Sequence, residues 1–330
     1  MEAIMSVATL KPSVTDLHAG LMQDLKDKQR FLAELIGPRR FYYVDIPVRG
    51  NIGDLLIMHG TLAYFRNHHL WPKVIASAFE FSPAWVGRDE VIVFHGGGNF
   101  GDLYAGIHSF RENVVAEKTG NRIVILPQTV HFSSLREQRR SARVFREHPD
   151  LHFCVRDERS VEIALHFSDH VYLVPDMAHQ LFPIVPSGDG FRASGTLLIR
   201  RVDDEKGQAA IALPPDVKCV TDWPELVGRR ERRIEYYRKT ARWLRRTRTA
   251  RHFANSLSRS WVDYSGRLIE EAVSLFASHD RIVTDRLHAH ILACLMSKPN
   301  TVLDNSYGKN HAYLSTWTAA SELVQAKRNV

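Results

Sequence analysis

The chain repeats one pattern that few folds can accommodate: a short apolar run, then a polar or glycine-containing loop, then a stretch with helical spacing. Such runs lie at residues 41–46, 74–76, 91–94, 123–129, 151–155 and 171–174, and again at 196–201, 281–283 and 301–304. Most are apolar without alternation, which indicates strands buried on both faces. Strands of this kind that alternate with helices form parallel sheets covered on both sides. The sequence therefore predicts an α/β fold built on parallel sheets.

The length predicts two domains, because 330 residues exceed what one hydrophobic core usually holds. Residues 183–195 are rich in proline and glycine and lack periodicity, which is typical of a linker. We therefore expect an N-terminal α/β domain at 1–185, a linker at about 183–195, and a C-terminal α/β domain at 195–330.

The composition is that of a soluble globular protein, with 44% hydrophobic and 25% charged residues. No apolar run approaches the roughly 18 residues of a membrane span, and the first 20 residues lack the apolar centre of a secretory signal. Three scattered cysteines (Cys154, Cys219 and Cys294) do not make a disulfide framework or a zinc site. We expect a cytoplasmic protein.

The positive charge is concentrated in one segment. Residues 228–251 contain eleven Lys or Arg and two Glu, a balance of +9, while the whole chain carries +7, so the rest sums to −2. Within the segment Ile234, Tyr237 and Leu244, with Trp243 or Ala241, share one helical face, which predicts an amphipathic cationic helix or helix pair. The segment is either a solvated linker or a contact for an anionic membrane surface, at the inner face of the plasma membrane. Nucleic acid is a poorer partner, because no recognisable binding module surrounds it.

Two glycine-containing loops follow predicted strands. The first, at residues 50–54, offers Asn51 and Asp54 at a helix start, although such a turn also has a purely structural use. The second, at 95–102, carries three consecutive glycines (Gly96, Gly97 and Gly98). Ordering glycines on folding costs more conformational entropy than ordering other residues, and a connection with no further role does not need three of them. We expect this loop to approach a phosphate or a sugar, with Asn99 and Asp102 available for hydroxyl groups. Its spacing is not that of a dinucleotide site.

Residues 284–290 place a carboxylate, a guanidinium and two imidazoles at a strand-to-helix corner: Asp285, Arg286, His288 and His290. Such corners lie at the carboxyl end of a parallel sheet, where these folds bind ligands. Arg156 follows another strand and is a candidate anion clamp, or else pairs with neighbouring acidic residues or caps the helix that opens at Ser160.

Taken in order, these elements are specific. The chain has Asn-Ile-Gly-Asp at 51–54, His-Gly-Gly-Gly-Asn-Phe-Gly-Asp at 95–102, Leu-Pro-Gln-Thr at 126–129, Arg-Asp at 156–157, Pro-Asp at 175–176 and Asp-Arg-Leu-His at 285–288. Together they resemble the polysaccharide pyruvyl transferase family, and most of all its members in bacterial exopolysaccharide synthesis. The resemblance runs from about Tyr43 to Tyr307 and Lys309.

This resemblance implies two Rossmann-like domains similar to the GT-B glycosyltransferases, with the active site between them. It implies transfer of the pyruvyl group of phosphoenolpyruvate to two hydroxyls of one sugar, which forms a cyclic ketal and releases phosphate. It also implies that phosphoenolpyruvate contacts Arg286, Leu287 and His288, and an arginine that corresponds to Arg156.

The residues fit that reaction. A trianionic donor requires fixed cations, for which the candidates are Arg286, Arg156, Lys309, and Arg200 or Arg201. His288 suits general acid/base work, with Asp285 orienting it or Arg286, and His290 is a lesser candidate. The acceptor would be a saccharide, most simply lipid-linked, held by Asn51, Asp54, Gly96, Gly97, Gly98, Asn99, Asp102 and Gln128. We expect neither a metal nor a cofactor besides the co-substrate, because the acidic residues lie on separate loops without ligand spacing.

Two other interpretations remain open. A nucleotide-sugar-dependent glycosyltransferase of the same architecture would release a nucleotide and would need a base-and-ribose pocket with a carboxylate for the ribose. A noncatalytic sugar-binding or nucleic-acid-binding module predicts that His288→Ala leaves function intact.

Overall fold

Two all-parallel sheets organise the chain. The structure, a computed structural model, describes residues 13–188, 192–201, 215–228, 231–247, 249–303 and 309–327. Every strand pairing in it is parallel, so consecutive strands of each sheet are joined by crossovers. The fold class predicted from the buried apolar runs is confirmed.

The first sheet has seven strands. Its elements are α1 (Val14–Asp27), α2 (Leu32–Ile36), β1 (Phe41–Val44), α3 (Ile52–Asn67), β2 (Val74–Ala76), β3 (Val91–Phe94), β4 (Gly97–Phe100), α4 (Ala105–Glu117), β5 (Ile123–Val130), α5 (Leu135–Arg146), β6 (Leu151–Val155), α6 (Glu158–Ala164) and β7 (His170–Leu173). The strand order is β2-β1-β3-β5-β6-β7, and β4 also pairs with β5. Strands β1, β3, β5 and β6 are buried at every residue, because helices cover both faces.

The second sheet has five strands in the order β12-β11-β10-β8-β9. Its elements are β8 (Thr196–Ile199), β9 (Val217–Thr221), α7 (Trp223–Val227), α8 (Glu231–Arg245), α9 (Ala250–Ala277), β10 (Arg281–Thr284), α10 (Leu287–Leu295), β11 (Asn300–Leu303), α11 (Lys309–Trp317) and β12 (Val324–Lys327). Strand β10 lies at the centre, so the polar residues that follow it lie at the middle of the sheet's carboxyl edge.

Three strands were not predicted. β9 and β12 are edge strands whose residues are exposed or half-buried, so they lack the apolar runs by which the others are found. β4 lies inside the glycine segment that we expected to be a loop, where Gly97 pairs with Gln128 and Phe100 with Val130 across an irregular register. The expectation that all of residues 95–102 form a loop is therefore wrong.

The two sheets are held together by helices that cross between them. Helix α9 belongs to the second half of the chain but packs on β2 and α3 of the first. In the reverse direction, His18 of α1 hydrogen-bonds Ser321 Oγ (2.7 Å) and the carbonyl of Cys294 (2.8 Å) near the C-terminus. One hydrophobic core includes residues of both sheets. The domain limits 1–185 and 195–330 stay a prediction.

The cationic segment forms the expected amphipathic helix pair, α8 and the start of α9. The buried face of α8 consists of Ile234, Tyr237, Ala241 and Leu244, so Ala241 rather than Trp243 completes it. This face packs on the protein: the hydroxyl of Tyr237 donates to Glu80 at 3.2 Å, and Tyr237 packs against Trp261 of α9. The apolar side of α8 is therefore inside the fold. No helix in the described part of the chain is long and apolar enough to cross a bilayer.

Candidate functional site

A cleft of about 90 Å³ lies where the carboxyl edges of the two sheets face each other. The first half of the chain lines it with Arg49, Asn51, Asp54, Gly98, Asn99, Tyr104, Thr129 and Arg156, and the second half with Arg201, Trp223, Arg286, Leu287, His288 and Asn310. Arg156, Arg201, Trp223 and Arg286 each lie within two residues of the end of a strand, and Gly98, Asn99 and Thr129 lie in strands β4 and β5. The cleft is thus a site of the kind that parallel α/β folds form at strand ends.

An imidazole, a guanidinium and a buried carboxylate meet at one side of the cleft. Arg156 Nη1 lies 2.5 Å from Asp176 Oδ2, and His288 Nε2 lies 3.3 Å from the same oxygen and 3.4 Å from Arg156 Nη1. Arg156 Nε also donates to Thr129 Oγ1 at 2.9 Å, which fixes the guanidinium plane. Asp176 is therefore the carboxylate that orients both the imidazole and the cation.

Burial alone would raise the pKa of Asp176, but the charges of His288 and Arg156 outweigh it, and hydrogen bonds from His288 and the Ala178 amide help lower the pKa well below its usual range. Asp176 is fully buried and stays ionised at neutral pH. Its Oδ2 oxygen lies within hydrogen-bond reach of His288 Nε2, at 3.3 Å. This arrangement can hold a proton on His288 and receive one back.

On the opposite side of the cleft, Arg286 is held by a second buried carboxylate. Arg286 Nη2 donates to Asp222 Oδ2 at 2.5 Å, and Arg286 Nε donates to Asp222 Oδ1. Arg286 is the N-cap residue of α10, and its own amide donates to Thr284 Oγ1 at 2.9 Å. Both the backbone and the side chain of this arginine are therefore fixed before any ligand arrives.

The first turn of α3 approaches the imidazole so closely that only glycine fits. A Cβ atom on Gly53 would lie 2.6 Å from His288 Nδ1. Asn51 caps α3 by accepting from the Gly53 amide at 3.0 Å. The loop at 50–54 therefore has both a structural role, the cap of α3, and a role at the site, the contact with His288.

The cleft is strongly cationic. Four arginines line it (Arg49, Arg156, Arg201 and Arg286), whereas Asp54 is the one carboxylate among the described lining residues. Asp54 Oδ2 lies 3.4 Å from Arg49 Nε and, among the described residues, receives no hydrogen bond. Asp176 and Asp222 lie behind Arg156 and Arg286. Such a surface attracts a compact anion.

Several predicted acceptor residues do not reach the cleft. Among the glycines only Gly98 lines it; a Cβ at Gly96 would meet the carbonyl oxygen of Pro127 at 2.8 Å, and Gly97 is required by its φ of +124°. Asp102 accepts from the Ser133 amide at 2.9 Å and from its hydroxyl. Gln128 is buried and donates to the His95 carbonyl at 2.6 Å. These four residues pack β4 and its loop against neighbouring segments and do not line the cleft, so their contact with the acceptor stays a prediction.

The role predicted for Asp285, to orient His288 or Arg286, stays a prediction. Its carboxylate accepts from the amide of Arg201 at 2.8 Å and does not line the cleft, since it points toward β8. Of the two arginines after β8, Arg201 lines the cleft and Arg200 does not. His290 is fully buried between Asn300 and Thr318, at 2.7 and 2.9 Å. The side chain of Lys309 lies outside the described part of the chain.

Several residues of the site were missed or left without a partner by sequence reasoning. The chief cases are Asp222, Arg49, Tyr104, Trp223 and Asn310, together with Asp176, which the sequence showed only as a polar residue at a strand end. Asp222 precedes Trp-Pro-Glu, a helix-start pattern, and it does cap α7 through the Trp223 amide at 2.7 Å. That signal would have located the helix but not the ion pair with Arg286.

No group of three or more His, Cys, Asp or Glu in the described residues could hold a metal ion. The absence of a metal requirement stays a prediction, and so does the absence of a cofactor.

Two Rossmann-like parallel sheets with an arginine-lined cleft at their facing edges define a two-sheet α/β fold consistent with the GT-B architecture. The solved structure of the uncharacterized protein KP1_0663 from Klebsiella pneumoniae shares this fold, with a TM-score of 0.58 at 19% identity over 92% of this chain and 98% of that chain. Residues 51–307 match the family model of polysaccharide pyruvyl transferases, and the chain belongs to that family.

Two relatives agree with this membership. EpsO of Bacillus subtilis strain 168, provisionally named a pyruvyl transferase, is 36% identical over 90% of this chain and 91% of its own length. Pyruvyl transferase 1 of Schizosaccharomyces pombe is 30% identical over 70% of this chain, which spans 55% of that protein. The family predicted from the loop motifs is therefore confirmed, and the protein is a transferase.

Proposed function

We propose that the protein transfers the pyruvyl group of phosphoenolpyruvate to two hydroxyls of one sugar in an exopolysaccharide unit, forming a cyclic ketal and releasing phosphate. The observation that carries the proposal is the cluster of His288, Asp176 and Arg156 in a cleft lined by four arginines. Family membership supports the pyruvyl transfer, and the chemistry of the cleft supports the donor.

The cleft suits a small, highly charged donor. Phosphoenolpyruvate carries a carboxylate and a phosphate on a three-carbon frame, and bidentate guanidinium groups bind both. Arg286 and Arg156 are held on opposite sides by Asp222 and Asp176, so little side-chain entropy is lost when the donor binds. Arg49 and Arg201 complete the cationic lining.

The reaction then needs two proton transfers that one imidazole can perform. Protonated His288 gives its proton to the methylene carbon of the donor, which becomes a methyl group, and the first sugar oxygen bonds to the adjacent carbon. His288 takes back the proton of that hydroxyl. The second sugar oxygen bonds to the same carbon as the C–O bond to phosphate breaks, and its proton leaves with the phosphate. Asp176 stabilises the imidazolium between these steps.

The acceptor would be held at the N-terminal wall of the cleft. Asp54 and Asn99 line this wall and would offer hydrogen-bonding side chains to sugar hydroxyls. Asn51 and the backbone at Gly98 lie beside them, and the missing side chain of Gly98 allows close approach to Arg156. We therefore retain Asn51, Asp54, Gly98 and Asn99 of the predicted acceptor residues.

The test is incubation with phosphoenolpyruvate and pyrophosphate-linked or lipid-linked sugars, with phosphate release and the mass of the sugar measured together. We expect one phosphate for each pyruvyl group gained by the sugar. A UDP-sugar or other nucleotide sugar supplied instead should release no nucleotide. Nucleotide release without any use of phosphoenolpyruvate would instead show a glycosyltransferase.

We further propose that the outward face of α8 contacts an anionic membrane surface, which would place the protein peripherally at the inner face of the plasma membrane. Arg232, Tyr236, Lys239, Trp243 and Arg246 recur at three- and four-residue spacing and are all exposed, with 73% of Tyr236 and 63% of Trp243 accessible. Aromatic side chains among cations suit the headgroup region of a bilayer. The buried face of α8 plays no part, because it packs on the protein.

Removing two of these cations should weaken binding to phosphatidylglycerol vesicles. Each cation near an anionic surface contributes about 1 kcal/mol, so Arg232→Gln/Lys239→Gln should lower the partition coefficient about 30-fold in a sedimentation assay, with weaker binding at higher salt. Arg139→Gln/Arg143→Gln on α5 removes the same charge from another exposed helix face and serves as the control. An equal loss in the control, or binding that ignores salt, would refute the contact.

A further inference from the structure

A second, larger cavity adjoins the cleft and has no role in the reaction as described so far. It measures about 660 Å³ and lies between the loop after β1, the residue Phe79 after β2, the start of α4 and the helix α8. Arg49 and Tyr104 line both this cavity and the cleft, and the Arg49 guanidinium lies 5.4 Å from the centre of the Tyr104 ring. The two spaces are therefore neighbours that share one wall.

Helix α8 directs a row of guanidinium groups toward this cavity. Arg238 and Arg245 line it, and Arg242 lies between them at one-turn spacing, with its guanidinium 5.0 Å from the ring of Phe79. Arg238 Nε donates to the Val48 carbonyl at 2.9 Å, which anchors the side chain at the cavity wall. Burial lowers the pKa of Arg238, and the charges of Arg49 and Arg242 lower it further against the opposing effect of Glu235. Like charges are thus gathered here.

Carboxylates offset only part of this charge: Glu235 and Asp54 pair with Arg238 and Arg49, but the ion pairs of the described residues include neither Arg242 nor Arg245. Asp45 lines it but is paired with the buried Arg111, 2.5 Å from its carboxylate. Glu235 lies 4.0 Å from Arg238 Nη1 on the exposed side of α8. Gathering cations around a cavity costs free energy that a bound anion would return.

A helix N-terminus faces the same space. Residues Ala105, Gly106 and Ile107 open the thirteen-residue helix α4 and line the cavity, and no side chain caps that helix. Asp102, three residues before the helix, accepts instead from Ser133. The first amides of a helix carry partial positive charge and bind phosphate groups readily.

We propose that this cavity is a second anion subsite, which takes the phosphate or diphosphate ester of the saccharide acceptor while the sugar extends past Arg49 and Tyr104 into the cleft. The inference rests on the proposed function for the identity of the sugar. It assigns Arg238, Arg242 and Arg245 to recognition of the ester. Tyr104 and Arg49 would contact the sugar where it passes from the cavity, which holds the ester, into the cleft, which holds phosphoenolpyruvate.

Binding can be tested without turnover. Inorganic pyrophosphate is titrated into the protein by calorimetry in the presence of saturating phosphoenolpyruvate. We expect binding to persist, and the dissociation constant to rise at least tenfold in Arg238→Gln/Arg245→Gln. Arg139→Gln/Arg143→Gln, which alters another arginine-lined surface pocket on α5, should bind as the unmodified protein does. Because Arg238 anchors the Val48 loop, the single variant Arg245→Glu at an exposed position provides the same test if the double variant unfolds.

Turnover provides a second arm. The ratio of kcat/KM for a saccharide diphosphate to that for the same free saccharide should fall about tenfold in Arg245→Glu. The subsite is refuted if phosphoenolpyruvate displaces pyrophosphate, or if the ratio of kcat/KM values is the same in the variant. It is also refuted if these arginines bind phosphatidylglycerol vesicles but no soluble pyrophosphate, because the anion would then be a lipid headgroup. If the protein binds pyrophosphate through Arg245 but does not consume phosphoenolpyruvate, the subsite stands and the proposed donor is wrong.

Discussion

We expect His288→Gln to lower kcat about 10²- to 10⁴-fold while the KM for phosphoenolpyruvate changes little. Positioned general acid/base groups contribute factors of that size, and glutamine keeps a polar side chain near Asp176 but cannot carry the transferred proton. The donor is held mainly by arginines, which this change leaves in place. Phosphate release at saturating donor, together with a separate donor titration, measures the two quantities.

The control for this variant is His252→Gln, which alters an exposed histidine on α9 outside the cleft. It should behave as the unmodified enzyme. If His288→Gln instead raised the KM alone, His288 would act in binding and the proton would have to come from another group. Full activity of the variant would show that His288 takes no part in the proton transfers, whereas no turnover in either protein would support the noncatalytic binding module.

Replacement of Arg156 should harm stability as well as activity. Arg156→Met leaves the carboxylate of Asp176, which is fully buried, without its guanidinium partner. Breaking a buried ion pair by removal of one member typically costs about 3–5 kcal/mol, because the remaining charge stays desolvated. Urea unfolding should show that the free energy of unfolding falls by an amount of that order. The loss is smaller to the extent that His288 replaces Arg156 as the partner of Asp176.

A second change separates the two effects. Arg156→Met/Asp176→Asn removes both charges, so it should recover most of the lost stability and still lack activity. Arg122→Met is the matched control, because its partner Asp150 is partly exposed and such pairs contribute no more than about 1 kcal/mol. A double variant no more stable than Arg156→Met would show that the pair is not what stabilises this region.

The pH dependence follows from the lowered pKa of Asp176. A carboxylate whose pKa is lower in the folded than in the unfolded state stabilises the fold at pH values above its ordinary pKa of 3.8, and this contribution decreases as the pH falls below that value. The stability difference between the unmodified protein and Asp176→Asn should therefore be constant near neutrality and shrink in acid.

Much of the fold follows from local sequence. Strands such as β3 and β5 are runs of buried apolar residues, and burial on both faces leaves a clear signature. The edge strands β9 and β12 escaped prediction, because exposure removes that signature. The first turns of helix α9, from Ala250, give little local signal, since they carry polar residues over a narrow buried face.

The site shows the same division. Arg286 and His288 were recognisable because both directly follow the strand β10, and strand ends in parallel sheets meet ligands. Their carboxylate partners were not: Asp222 lies 64 residues from Arg286, and Asp176 lies 112 residues from His288. Asp285 was chosen because it is adjacent in sequence, yet its side chain points to the amide of Arg201.

The amino-acid sequence by itself determined the parallel α/β class, the family, and the corner that carries the imidazole and the guanidinium. Apolar periodicity and short motifs act over a few residues, so they can be read without coordinates. Only the tertiary structure decided which carboxylate orients which cation, which glycine lines the cleft, and that a second arginine-lined cavity adjoins it. Those choices depend on distances between segments that lie far apart along the chain, and packing of the two sheets sets them.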